Sequence, residues 1–66
     1  MKTSYFTFGF QHTHMVGDRL MDQDTVVKIA AENPLVKMEE MFGKEWSVEY
    51  DELPDMSYYP GGVVEL

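Results

Sequence analysis

Sixty-six residues, 44% hydrophobic and 14% aromatic, make one small domain with a modest core and exclude wholesale disorder. Cysteine is absent, which excludes disulfides and thiolate metal sites and leaves self-association as a homo-oligomer among the ways to stabilise so short a chain. Twelve carboxylates against five Lys and Arg give a net charge of −7, which disfavours direct contact with nucleic-acid phosphates or anionic membranes and favours a protein partner with a basic surface.

No apolar run nears the roughly 20 residues that span a bilayer. Met1-Lys2-Thr3-Ser4-Tyr5 carries one basic residue and then alternates, unlike the continuous apolar stretch of a signal peptide. The expected location is therefore the cytoplasm.

The first half reads as a β-hairpin. In Tyr5-Phe6-Thr7-Phe8-Gly9-Phe10, the three phenylalanines share one face at period two. Gly17-Asp18 supplies a two-residue turn, and Thr25 to Ala30 forms the β-branched centre of the return strand. With Val16 and Arg19 flanking the turn, every further cross-strand pair has the same sum of residue numbers as that pair. Phe8 is then expected opposite Val27, and Phe6 opposite Ile29.

One helix follows. Asn33 suits the N-cap and Pro34 the first helical position, while Gly43 suits the terminator. Leu35, Met38, Met41 and Phe42 make its apolar stripe. Trp46, Val48 and Tyr50 then alternate with Ser47, Glu49 and Asp51, which predicts a third strand with the large residues inward. Beyond it the chain is broken by Pro54 and Pro60-Gly61-Gly62, and Val63 to Leu66 can add a short edge strand. The expected fold class is α+β: a single domain over residues 1–66, with an antiparallel sheet of three to four strands packed on one helix.

His12-x-His14 is the pattern most like a site, because on a strand both imidazoles point one way and suit two ligands of Zn²⁺ or Ni²⁺. A closed site needs further donors, and in this register Asp22 and Asp24 face away from the histidines. Stacked or exposed histidines at the hairpin tip are the simpler account. Asp22-Gln23-Asp24 lacks the Gly and distal Glu of a calcium loop and reads as a polar bend. Glu39-Glu40 and Glu49 to Glu52 contain paired carboxylates, but on faces expected to be solvated. Ser4, Ser47 and Ser57 lack a nucleophile elbow, and Pro60-Gly61-Gly62 lacks the Lys and helix of a phosphate loop. The reading is a non-enzyme that needs no cofactor or metal.

The remaining candidate is a contact surface. Glu45, Glu49, Asp51 and Glu52 line the outer side of the third strand, and Asp55, Tyr58 and Tyr59 lie in an acidic, aromatic tail. Adjacent tyrosines in an extended chain cannot both face inward, and tyrosine is enriched in protein interfaces. The plainer account of the tail is that it wraps the edge of the sheet.

Tyr5-Phe6-Thr7-Phe8-Gly9, His12-x-His14, Met41-Phe42-Gly43-Lys44-Glu45-Trp46-Ser47, Tyr50-Asp51-Glu52 and Asp55-Met56-x-Tyr58-Tyr59-Pro60 together span most of the chain. In order and spacing they resemble a group of short uncharacterised proteins of tailed bacteriophages and prophages. The resemblance implies a phage accessory protein acting in the host cytoplasm by protein–protein interaction. Its expected role is inhibition of a host defence system, of anti-CRISPR or anti-restriction type, with nucleic-acid mimicry as one route. Two alternatives stand beside it: a small oligomeric binder of a metal or nucleotide-like signal through His12 and His14, and a phage structural or assembly accessory.

Overall fold

The computed structural model describes every residue from Met1 to Leu66. Its elements run β1 (Lys2–Thr7), β2 (His14–Val16), β3 (Arg19–Met21), β4 (Thr25–Ala31), α1 (Pro34–Phe42), β5 (Glu49–Tyr50) and β6 (Gly62–Glu65), with a 3-10 turn over Met56–Tyr58. The class is α+β as expected, with one helix on a four-stranded sheet ordered β5-β1-β4-β6. Strands β2 and β3 form a separate two-stranded ribbon.

The ribbon keeps the expected register, with Val16 opposite Arg19 and His14 opposite Met21. Gly17 takes a φ of 62° while Asp18 stays at negative φ, the pattern of a type II′ hairpin turn. Further back the pairing differs from expectation: Phe6, not Phe8, lies opposite Val27, and Ser4 lies opposite Ile29. The two arms between the sheets are unequal, residues 8–13 against 22–24. The longer arm contains a tight turn in which the His12 N–H donates to the Gly9 carbonyl at 3.0 Å. The resulting offset is two residues, so every side chain keeps its face. Phe6, Phe8, Val27 and Ile29 therefore still meet Met21, Met38 and Phe42 in the core. Phe10 does not join them. The alternation ends at Gly9, and Phe10, inside the turn, is 82% exposed.

The helix is bounded as its residues predict. Asn33 Oδ1 accepts from the Val36 N–H at 3.3 Å, and the Gly43 N–H closes the last turn on the Glu39 carbonyl at 2.8 Å. Burial follows the i, i+4 spacing of Pro34, Met38 and Phe42. Met41, expected in the stripe, turns to the exposed flank instead.

The third expected strand is shorter and bent. Thr7 donates to the Val48 carbonyl and accepts from the Ser47 N–H, so two residues oppose one in a β-bulge. The bulge breaks the alternation of Trp46, Val48 and Tyr50. Trp46 packs into the core, edge-on to Phe6 with ring centroids 5.3 Å apart. Tyr50 pairs with Tyr5 on the opposite face, and Val48 is exposed rather than inward.

The fourth strand forms, but the sheet is mixed rather than antiparallel, because β6 runs parallel to β4. Residues 51–61 cross the face opposite the helix to reach the far side of β4, and the chain arrives running with it. A close approach anchors the crossing. The Gly61 N–H donates to the Asp24 carbonyl at 2.8 Å, and a Cβ on Gly61 would lie 2.8 Å from that same oxygen. Only glycine fits there.

Candidate functional site

The acidic residues singled out in the sequence follow one another along the chain but not on one face. Glu45 lies beside His14, Glu49 pairs with Phe6 on the helix side of the sheet, and Asp51, Glu52 and Asp55 lead onto the opposite face. From Glu45 to Asp55 the chain carries five carboxylates and no Lys or Arg. Glu45, Glu49, Asp51, Glu52 and Asp55 are all exposed. Strand β5, which holds Glu49, is an outer strand of the sheet, so this charge sits on an edge rather than over a cavity. No pocket opens in the surface of the molecule.

Asp55 organises the next turn. Its Oδ1 accepts from the Ser57 N–H at 3.0 Å, capping the 3-10 turn. That backbone bond, followed by one from the Ser57 side chain, holds the Asp55 carboxyl below its usual range against a smaller opposing effect of desolvation. The turn then splits the tyrosine pair. Tyr58, at the end of the turn that Asp55 caps, is 74% exposed. Tyr59 is half-buried, and desolvation pushes its hydroxyl pKa above 10.0, with further raising from the neighbouring Tyr50 and a partly offsetting hydrogen bond with Thr7. Tyr59 thus covers the sheet, while Tyr58 and Asp55 are exposed.

The histidines are used differently. His14 lies between aromatic rings, 5.3 Å from Phe8 and 4.9 Å from Phe42 by ring centroids. Its Nε2 donates to the Glu45 carbonyl at 2.9 Å, with the Glu45 carboxylate 3.8 Å away. His12 folds back onto its own turn, and its Nδ1 accepts from the Gly9 N–H at 2.9 Å. One nitrogen of each ring is thus engaged in holding the chain, which fits the reading of stacked histidines at the hairpin. No three His, Asp or Glu side chains are grouped so as to hold a metal ion. Asp22 is the polar bend expected, with its Oδ1 accepting from the Asp24 N–H at 2.9 Å and its carbonyl from the Thr25 N–H at 3.0 Å.

Sequence reasoning missed the aromatic seat of His14 and a contact between Arg19 and Gly61, whose carbonyl accepts from Nη2 at 3.3 Å. Both join residues far apart in the chain, and no local pattern announces them. One buried polar atom, Trp46 Nε1, has no hydrogen-bond partner.

Fold and surface together define a small α+β domain that displays an acidic, tyrosine-bearing edge. No helix is long and apolar enough to cross a membrane. No protein family, curated protein or solved structure matches the chain.

Proposed function

We propose that this chain is a small binding protein that captures a host protein through that protein's basic surface, acting as a phage-encoded inhibitor of host defence. The observation that carries the reading is the exposed run from Glu45 to Asp55, with five carboxylates and no Lys or Arg, followed three residues on by the exposed Tyr58. A dense row of carboxylates on a rigid edge is complementary to a groove that normally holds nucleic acid, and such fields act chiefly on encounter rate and partner choice. The resemblance to short phage proteins supports the biological setting, with action in the host cytoplasm.

The role assigned to each residue is specific. Glu49, Asp51 and Glu52 supply the field, Tyr58 the desolvated aromatic contact, and Asp55 the turn that presents Tyr58. A pull-down from host lysate identifies the partner, and titration at two salt concentrations then tests the mode. Glu49→Lys with Asp51→Lys is expected to weaken capture about tenfold or more at low salt, and wild-type affinity is expected to fall as salt rises. Capture that survives both the charge reversal and high salt rules the electrostatic mode out.

A further inference from the structure

The two edges of the four-stranded sheet are chemically unlike. The β5 edge carries uncompensated carboxylates, a common protection against strand addition. The β6 edge has no such guard. Val63 is 38% exposed there, and the single carboxylate, Glu65, has Lys28 Nζ 3.5 Å away. At the opposite end of the strand, the exposed Arg19 guanidinium is fixed to the Gly61 carbonyl. The edge therefore carries a guanidinium without an ion pair where β6 begins and, where it ends, an exposed carboxylate shared with Lys28.

Its backbone is also free to pair. The Leu66 N–H donates inward to the Lys28 carbonyl at 3.0 Å. A parallel ladder engages alternate residues, so Val64 shares that inward sense, and the N–H and C=O of Val63 and Glu65 point outward.

We propose that the β6 edge is a self-association surface, on which a second copy of this chain adds its own β6 antiparallel about a two-fold axis. With the axis at Val64, Val63 exchanges hydrogen bonds with Glu65 of the second copy. Arg19 of each chain then comes beside Glu65 of the other. Gly61, where Arg19 is anchored, lies two residues, about 6.6 Å, before Val63, a distance two long side chains span. Within one chain the same groups sit at opposite ends of the strand, about 13 Å apart, and are held away from each other. Antiparallel addition brings the Arg19 of each chain to the exposed Glu65 carboxylate of the other, which then accepts from two cations, whereas parallel addition would set the two Arg19 guanidinium groups together. The product is a continuous eight-stranded sheet whose acidic β5 edges lie roughly 34 Å apart, seven strand spacings. The proposal stands independently of the partner reading above, and it would make such a capture bivalent.

Sedimentation equilibrium of the full chain at micromolar to submillimolar concentrations tests it, with far-UV circular dichroism confirming that each variant folds. The wild type is expected at twice the chain mass. Arg19→Glu and Glu65→Arg should each raise the dissociation constant about tenfold or more. Mixing these two variants should restore a dimer, because both contacts across the axis are then oppositely charged. Val63→Lys, at an exposed edge position, should give a folded monomer. A wild type that stays at single mass throughout overturns the proposal, as do single variants that dimerise like the wild type or a mixture that recovers nothing.

Discussion

Tyr58 and Tyr59 are neighbours in sequence and opposites in environment. That one of the two must face out is legible from their adjacency. Which one does is not, because the choice is made by Tyr50 and Thr7, which come from other strands to meet the Tyr59 hydroxyl. The difference has a measurable consequence. Desolvation and the Tyr50 neighbour raise the Tyr59 pKa above its ordinary 10.0. Below pH 10 the hydroxyl is protonated in the folded and unfolded chain alike, and its contribution is fully present. As pH climbs past 10 the unfolded chain loses the proton first and gains relative to the fold, so stability falls. Thermal melts followed from neutral pH to beyond pH 10 should show this decline, and Tyr59→Phe should make it shallower. An identical slope in the variant would mean that other groups carry the alkaline transition. The same holds for His12 and His14. Their spacing is visible, but the turn that ties His12 to Gly9 and the rings that hold His14 are products of the fold.

Elements were legible where local chemistry decides them and less so where strands meet. Asn33, Pro34 and Gly43 mark both ends of α1 from residue type alone, because capping depends on a few consecutive residues. The cap yields a direct expectation: Asn33→Ala removes the acceptor for the Val36 N–H and should cost about 1 kcal/mol. Asn33→Asp keeps the acceptor and adds negative charge at the helix start, so it should match or exceed the wild type. Urea unfolding with unchanged m-values checks both, and an Asp variant as weak as the Ala variant would show that the side-chain bond is not what stabilises the helix start. Strand geometry was harder to foresee. The ribbon register follows from its two-residue turn, but the two-residue offset behind it arises from unequal arms, and the Ser47–Val48 bulge from the way Trp46 docks on Phe6. The parallel placement of β6 depends on where residues 51–61 can cross, which no alternation pattern encodes.

At the scale of the whole molecule, the chain is already as compact as an independent domain. Its accessible surface of 4342 Å² matches the about 4,300 Å² expected of a folded monomer of this mass. Its radius of gyration of 10.7 Å matches the about 10.8 Å expected for the chain length. The single chain is thus compact, and repulsion among its charges adds to the chain entropy that opposes the fold. Of the five Lys and Arg, only Lys28 makes an ion pair, with Glu65, while twelve carboxylates share the surface. Folding gathers those carboxylates, and with a Debye length of about 8 Å at physiological ionic strength their mutual repulsion is only partly screened. Added sodium chloride should therefore raise the melting temperature by several degrees between low and high salt. The same salt should loosen the proposed capture of a basic partner, since that attraction would be screened just as the repulsion is. If the run from Glu45 to Asp55 is the binding edge proposed above, the two responses have opposite signs and share its five carboxylates as a source. Glu49→Lys with Asp51→Lys should then flatten both salt dependences together. If it flattens the binding response alone, self-repulsion arises elsewhere on the surface, and the acidic edge serves recognition without burdening the fold.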